Sequence, residues 1–258
     1  SSFMIKPKIL ITNDDGISSE GIFALWEAMD EIGETFIAAP STEQSASSHS
    51  LTLSHPLRVK TLKRKDGFEG WSIDGTPVDC VKIAIRSLMK ERPDILISGI
   101  NHGANLGNNI MYSGTVSAAT EGMIMGTPSI AISLASYETD NYDGVKKYAK
   151  NIVNNVLKHG LPKDTLLNVN VPYCEQEAIK GIKITSQGNQ YFIDEYEQRI
   201  DPRNSEYYWI KGKMIDEDQS IDYDGKAIQE NYVSVTPIHF KLTNESYKKD
   251  LKKYFSNE

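Results

Sequence analysis

The sequence predicts an α/β fold of the Rossmann-like kind, a mostly parallel sheet with helices on both faces. Short apolar runs of strand length alternate along the chain with segments whose apolar residues recur at helical spacing. This alternation is typical of parallel sheets built from βαβ units, in which a helix connects each strand to the next. With 258 residues, the chain is long enough for one large domain of this class with appendages.

Residues 4–180 supply the predicted catalytic core. Its clearest helix spans Asp143 to His159, where apolar residues form one stripe and Gly160 ends the segment. Another helix start is predicted at Thr76, because Pro77 follows it and Asp79 stands at the third helical position. The expected strands are 9–12, 34–39, 57–62, 71–73, 93–100, 126–134 and 165–171, and the other expected helices are 21–29 and 116–125.

Residues 181–258 are predicted to form an extension of the core and not an independent domain. Two of its segments, 182–185 and 206–210, alternate like the exposed strands of a hairpin. A returning strand is expected at 232–238 and a terminal helix at 244–255. Because aromatic side chains are interleaved with charges here and aromatics favour protein interfaces, we expect this C-terminal arm to join subunits.

Charge and cysteine usage exclude several classes of partner. The formal net charge of −7 argues against a broad nucleic-acid footprint, so no stable nucleic-acid partner is expected. No apolar run approaches the length of a membrane span, and no basic and apolar targeting segment opens the chain. The two cysteines, Cys80 and Cys174, have neither zinc-site nor disulfide-framework spacing. We therefore expect a cytoplasmic protein.

Two adjacent carboxylates stand at the end of the first predicted strand, in the run Asn13-Asp14-Asp15-Gly16. Like charges this close repel each other, so the pair is costly unless a positive charge lies between them. A divalent cation with oxygen ligands removes that cost, and open α/β sheets bind ligands at the carboxyl ends of their strands. The alternative interpretation is a polar turn that caps the next helix.

Two further polar segments follow predicted strand ends. One is the Ser-rich stretch 41–54, in which a side chain could complete a metal shell, although a solvated loop is the alternative. The other is the glycine-rich loop 101–109, which begins at Asn101. The carbonyl oxygen of Asn101 suits a hard cation, although Asn is also an ordinary turn residue. In the Ser-rich stretch, the candidates that chemistry alone does not separate are Ser45, Ser47, Ser48 and His49.

The run Ser113-Gly114-Thr115 precedes a predicted helix. A helix start of this kind presents free backbone N–H groups, which attract anions and phosphate above all. Plain N-capping is the alternative. Together with the other three segments, this helix start predicts a site for a metal and a phosphate, and Mg²⁺ or Mn²⁺ suits a shell made only of oxygen ligands.

The chain also carries long motifs in a fixed order from Ile9 to about Pro172. They read ILITNDDGISSEGI, APSTEQSASSHSLTL, GTPVDCVKIA, SGINHGANLGNNIMYSGTVSAATEGMIMGTPSIAIS and LLNVNVP. These motifs resemble the SurE family, the survival-protein-E nucleotidases. The resemblance implies hydrolysis of nucleoside 5′- and 3′-monophosphates with one divalent metal ion per subunit. It also implies that the tail exchanges between subunits, which gives homodimers or homotetramers.

The resemblance further implies a role for individual residues. Asp14 and Asp15 are the expected catalytic residues, because one of them can orient a water that the cation activates. His49 and His102 are candidates for the acid that protonates the leaving group, although a supporting or surface role is favoured for each. The expected metal ligands are Asp14, Asp15, Ser45 and Asn101, where the register of the family alone selects Ser45. The expected phosphate and substrate contacts are Asn13, Asn105, Ser113, Gly114 and Thr115.

The activity that we expect is that of a metal-dependent phosphomonoesterase whose substrate is a nucleoside monophosphate. Two alternatives share the same loops. One is a nucleotide- or phosphate-binding module without catalysis, and the other is a phosphatase that acts mainly on another phosphoester such as polyphosphate.

Overall fold

A computed structural model describes residues 5–44, 49–64, 66–138 and 141–256 of the chain. Its strands are β1 (Lys8–Thr12), β2 (Glu34–Pro40), β3 (Val59–Lys63), β4 (Glu69–Ile73), β5 (Ile95–His102), β6 (Ser129–Ala135), β7 (Thr165–Pro172), β8 (Ile182–Ile184), β9 (Tyr191–Ile200), β10 (Glu206–Ile215) and β11 (Val233–His239). Its helices are α1 (Glu20–Asp30), α2 (Pro77–Ile83), α3 (Gly114–Ile124), α4 (Asp143–His159), α5 (Asp224–Gln229) and α6 (Glu245–Tyr254).

A central sheet of the described strands runs in the order β3-β4-β2-β1-β5-β6-β7-β11-β8. The strands from β4 to β7 pair in parallel, while β3 and β11 run antiparallel to β4 and β7. Strand β1 lies between β2 and β5, so that Leu10 faces Phe36 on one side and Leu96 on the other. The strand order therefore reverses beside β1, which is the position where open α/β sheets bind their ligands.

Alternate residues of the inner strands face opposite layers of helices. Ile9 and Ile11 belong to a buried cluster with residues of α1 and α4. Leu10, between them, packs in a second cluster with Cys80 and Val81 of α2 and with the neighbouring part of α3. This two-residue period buries β1 on both faces. The predicted α/β class, with a mostly parallel sheet and helices on both faces, is confirmed.

Local signals placed most elements of the core correctly. Helix α4 has the predicted bounds, since its apolar stripe is long and Gly160 follows it. Thr76 caps α2, and a capping box with Asp79 is formed in both directions. The prediction for β5 was too short at its carboxyl end. The strand continues to His102 because the pairs Asn101–Ser133 and His102–Leu134 extend its ladder with β6 beyond the last apolar residue.

The C-terminal extension differs from the prediction in its strand pairing. A hairpin is present, but its strands are β9 and β10, which pair antiparallel over their whole length as a separate two-stranded ribbon. The pairing of 182–185 with 206–210 was wrong, because β8 joins the central sheet beside β11. Helix α5 was missed, since its six residues carry no apolar stripe. A boundary between a core and an extension near residue 180 stays a prediction.

Across the described ranges, none of the helices combines the length with the apolar character that crossing a bilayer requires.

Candidate active site

The turn after β1 is held from inside by Asn13. This side chain is buried, and its amide nitrogen donates to the carbonyl of Gly16 at 2.8 Å and to the hydroxyl of Ser19 at 2.9 Å. Gly16 has φ +100°, a conformation that a residue with a side chain rarely adopts. The turn thus presents Asp14 and Asp15 at the carboxyl edge of the sheet. A substrate contact for Asn13 stays a prediction.

Asp14 is linked directly to the predicted phosphate-binding helix. The hydroxyl of Thr115 donates to Asp14 Oδ1 at 3.1 Å. Burial, with a smaller contribution from the neighbouring Asp15 carboxylate, raises the pKa of Asp14 from 3.8 to about 7, although the Thr115 hydrogen bond opposes this shift. The fold therefore makes ionisation of this carboxyl costly in the absence of a cation.

Asp15 has a buried oxygen that lacks a hydrogen-bond partner. Within the described chain, Asp15 Oδ2 accepts no hydrogen bond, and the nearest cationic candidate is His102 Nδ1 at 3.5 Å. The other ring nitrogen of His102 lies 2.7 Å from the hydroxyl of Tyr142. Helix α1 comes close to this point, since a Cβ on Gly21 would lie 2.2 Å from the carbonyl oxygen of Ile100. An unpaired buried carboxylate oxygen is an unusual arrangement that a cation would explain.

Asn101 lies next to these carboxylates in the sheet, because it stands at the end of β5 beside the end of β1. Its amide nitrogen donates to the carbonyl of Gly103 at 2.9 Å. This bond commits the amide nitrogen and leaves the carbonyl oxygen as the atom that suits a hard cation.

The Ser-rich stretch reaches the same edge at its first residues. Ser45, together with the alternatives Ser47 and Ser48, lies outside the described residues. Gln44 precedes Ser45, and its backbone N–H donates to the carbonyl of Asp14 at 2.8 Å. The stretch therefore begins in direct contact with the carboxylate turn.

The two histidines predicted as acid candidates lie in different surroundings. His49 Nε2 lies 2.7 Å from the nearly buried carboxylate of Glu121, which also binds Lys82 Nζ at 3.2 Å. His102 contacts Asp15, as described above. Of the two, His102 lies beside a predicted metal ligand, while a carboxylate outside the predicted site holds His49.

The start of α3 has the geometry of an anion site. Ser113 is the N-cap, and its hydroxyl oxygen accepts from the backbone N–H of Val116 at 3.1 Å. The backbone N–H groups of Gly114 and Thr115 lie in the first turn of the helix, where no carbonyl of the helix precedes them by a full turn. They therefore remain available to a ligand. Because Thr115 also contacts Asp14, these donors lie beside the carboxylate pair.

Asn105 is enclosed by a buried polar network that sequence reasoning missed. Its backbone N–H donates to Asn170 Oδ1 at 2.8 Å, and its amide nitrogen donates to Ser133 Oγ at 2.8 Å. Its carbonyl accepts from Asn168 at 2.9 Å and from Asn170 at 3.1 Å. The signal for this network was the alternation of Asn168 and Asn170 inside an otherwise apolar strand. These bonds fix the glycine-rich loop on β7, and a phosphate contact for Asn105 stays a prediction.

The donor set at this edge fits a hard divalent cation. Two adjacent carboxylates, one with a buried oxygen that accepts no hydrogen bond from the described residues, stand at the same edge of the sheet as Asn101, whose amide nitrogen is engaged by Gly103. Within the described ranges, no three His, Cys, Asp or Glu side chains are grouped so as to hold a metal by themselves. Carboxylate and amide oxygens are ligands of the kind that hard cations such as Mg²⁺ and Mn²⁺ prefer.

We expect Asp14→Asn to stabilise the metal-free protein at neutral pH. The pKa of Asp14 is about 7 in the folded state and 3.8 ordinarily, so between these values the folded state keeps a proton that the unfolded chain loses. Stability then falls as pH rises from about 4 to about 7, and the variant lacks this fall. Thermal unfolding in a chelator should show a gain of up to about 4 kcal/mol near pH 8 that shrinks near pH 5. The matched control is Asp164→Asn at an exposed position, and a wild type as stable as Asp14→Asn near pH 8 would contradict the assignment.

Comparisons with known proteins identify relatives of this chain. A family model described as "Survival protein SurE" matches residues 9–194. A relative from Syntrophomonas wolfei, named 5'-nucleotidase SurE, is 46% identical over 250 residues, which cover 96% of this chain and 95% of the relative. A relative of the same name from Christiangramia forsetii is 43% identical over 256 residues and covers 98% of both chains.

A solved structure extends the likeness to three dimensions. The crystal structure of the SurE protein from Aquifex aeolicus is 42% identical and superimposes with a TM-score of 0.85, covering 97% of this chain and 100% of that one. The family model covers well over half of the chain, and the relatives span nearly all of it. The chain therefore belongs to the SurE family.

Proposed function

We propose that this chain is a metal-dependent 5'-nucleotidase that hydrolyses nucleoside 5′-monophosphates, and also 3′-monophosphates, to nucleoside and phosphate. The names of the relatives from Syntrophomonas wolfei and Christiangramia forsetii support the reaction class. The observation that carries the proposal for this chain is the 3.1 Å hydrogen bond from Thr115 to Asp14. This bond supports the proposal because the start of α3 lies against the carboxylate pair, and metal-assisted phosphoester hydrolysis needs anion-binding groups beside the cation.

The proposed ligands of one divalent cation are Asp14, Asp15, Asn101 and Ser45. Among the described residues none donates a hydrogen bond to Asp15 Oδ2, and the pKa of Asp14 is raised, which supports the first two. The contact between Gln44 and Asp14 supports a ligand from the residue that follows Gln44. A bound Mg²⁺ or Mn²⁺ would neutralise phosphoryl charge and lower the pKa of a water molecule in this site.

The residues of the chain supply binding and orientation. The N–H groups of Gly114 and Thr115 hold the phosphoryl oxygens and stabilise the charge that develops during transfer. Thr115 occupies Oδ1 of Asp14 and fixes its carboxyl plane, so that Oδ2 can orient the attacking water. The water gives a proton to a carboxylate of the pair, and the departing ribose oxygen takes up a proton, for which His102, at 3.5 Å from Asp15, is the candidate donor.

We expect phosphate release from AMP to require a divalent cation. The protein treated with a chelator and then freed of it should be inactive, and Mn²⁺ or Mg²⁺ should restore turnover, because the carboxylate pair repels the substrate phosphate until a cation binds. A panel of AMP, ribose 5-phosphate and polyphosphate, measured by phosphate release, identifies the preferred phosphoester. Binding of AMP without metal-dependent turnover would show a binding module instead.

Replacement of Asp14 by Asn should abolish this turnover and leave the fold intact. The variant keeps the shape of the side chain but removes the negative charge that binds the cation, so we expect kcat to fall about a thousandfold or more. Phosphate release and circular dichroism measure the two effects. Asp164→Asn, at an exposed position before β7, is the control and should keep wild-type activity. An active Asp14→Asn enzyme would place the site elsewhere.

We also infer that the chain forms a homodimer or a homotetramer through the arm within residues 181–258. The ribbon of β9 and β10 pairs only with itself among the described strands and exposes large apolar side chains, among them Tyr208, Trp209 and Ile210. An isolated two-stranded ribbon is marginal in water, so a protein partner is expected to cover it. The two free cysteines support a cytoplasmic location.

Light scattering after size exclusion should give a mass that is a multiple of the chain mass. Replacement of residues 192–214 by a short Gly-Ser turn should lower this mass, because it removes the exposed apolar ribbon while β8 and β11 keep their places in the central sheet. A wild-type protein that is monomeric at micromolar concentration would contradict the inference.

A further inference from the structure

A single buried carboxylate in the C-terminal part of the chain is bound to the glycine-rich loop of the candidate active site. Asp224, at the start of α5, is fully buried. Its Oδ2 accepts from the backbone N–H of Gly107 at 2.9 Å. Its Oδ1 accepts from the backbone N–H groups of Gly188 at 3.1 Å and of Gly225 at 2.8 Å. One oxygen therefore binds the active-site loop, while the other binds only C-terminal backbone.

Neighbouring contacts hold the same point of the loop. The side-chain amide of Gln187 donates to the carbonyl of Gly107 at 2.9 Å, and the N–H of Asn108 donates to the carbonyl of Gln190 at 3.1 Å. Gly107 has φ +54°, and a Cβ on it would lie 2.8 Å from Cβ of Gln190. Both polar groups of the Gly107 backbone are thus bound by residues more than 75 positions away in sequence.

These contacts to Gly107 and Asn108 hold only one side of the candidate site. Residues Gly107–Tyr112 form a short helical turn that ends directly at Ser113, the cap of α3. Asn101 is fixed independently, by its place in β5 opposite Ser133 and by its hydrogen bond to Gly103. A loosened Gly107 would therefore shift the start of α3 without a direct effect on the strand that carries Asn101.

We propose that Asp224 is a positioning residue for the reaction, which holds the segment 107–112 so that the N–H groups at the start of α3 meet the substrate phosphate. The inference rests on the proposed function of that helix start. Asp224 does not touch the substrate, and it acts through Gly107. Asp224 would also make phosphate binding depend on the C-terminal extension, because Gly188 and Gln190 directly precede β9.

Asp224→Asn separates this role from a general contribution to folding. The amide has nearly the shape of the carboxylate, but only one oxygen. If that oxygen keeps the two bonds to Gly188 and Gly225, the NH₂ group faces the N–H of Gly107 and that bond is lost. The opposite orientation sets the NH₂ group against two donors and is therefore disfavoured. The substitution breaks the link to the loop and preserves the contacts within the C-terminal part.

The experiment measures phosphate binding and metal binding separately in wild type and Asp224→Asn. We expect KM for AMP and the inhibition constant of inorganic phosphate to rise about tenfold, the effect of one lost hydrogen bond to a charged group. The Mn²⁺ activation constant should change by less than about twofold. Amide hydrogen exchange of peptides covering 106–112 should accelerate.

The matched control is Asp218→Asn. Asp218 precedes Asp224 in the C-terminal part and accepts a hydrogen bond from the backbone N–H of Asn189 at 2.6 Å. Among the described residues, it has no hydrogen bond to the loop 101–109. This control should keep wild-type phosphate inhibition and wild-type exchange at 106–112. If Asp224→Asn does not fold, Gln187→Met removes the second bond to Gly107 from an exposed position and should weaken phosphate inhibition about threefold.

Three results would overturn the inference. The first is wild-type phosphate inhibition in folded Asp224→Asn, or in Gln187→Met where that variant replaces it. The second is an equal loss in Asp218→Asn, and the third is a loss of Mn²⁺ activation as large as the loss of phosphate inhibition. A wild-type protein without metal-dependent phosphate release would instead reject the proposed function, so the two failures are distinguishable.

Discussion

The repulsion between two adjacent carboxylates at the end of β1 is the constraint around which the site is built. Burial adds to this cost, because desolvation is the main cause of the raised pKa of Asp14 and the charge of Asp15 is a smaller one. The surrounding contacts brace the pair without neutralising it. Asn13 fixes the turn from below, Thr115 donates to Asp14, and His102 approaches Asp15 at 3.5 Å. The metal-free fold thus retains an electrostatic cost that a cation would remove, which supports the proposed metal site.

Elements whose signals lie within their own sequence were predictable. The apolar stripe and terminal glycine of α4 define it locally, and the capping residues of α2 do the same. The carboxylate pair was also readable, because a strand followed by a turn places it at the sheet edge. The carboxyl end of β5 could not be predicted from the sequence, since pairing with β6 extends the strand beyond its apolar run to His102. Ladder length depends on the neighbouring strand, which local composition does not reveal.

The hairpin and the buried asparagines show a second limit. Residues 182–185 alternate as convincingly as a hairpin strand, yet β8 pairs with β11, because an edge of the central sheet was open to it. Asp224 resembles a turn residue in sequence, although its partner Gly107 lies 117 positions away. Asn105, Asn168 and Asn170 likewise gain their roles only from each other. The alternation of Asn168 and Asn170 within an apolar strand marks them as unusual, but it does not identify the distant backbone groups that they bind.

The candidate site has two parts that differ in how they are held in place. The carboxylates and Asn101 are carried by adjacent strands, whose ladders make their spacing rigid. The proposed phosphate-binding start of α3 follows a loop without such a ladder, and the position of that loop depends on side chains from β7 and from the C-terminal part. The Thr115–Asp14 bond joins the two parts. Because side chains of the C-terminal part that bears the ribbon of β9 and β10 hold this loop, the proposed assembly through that ribbon and the proposed substrate binding would involve the same segment of chain.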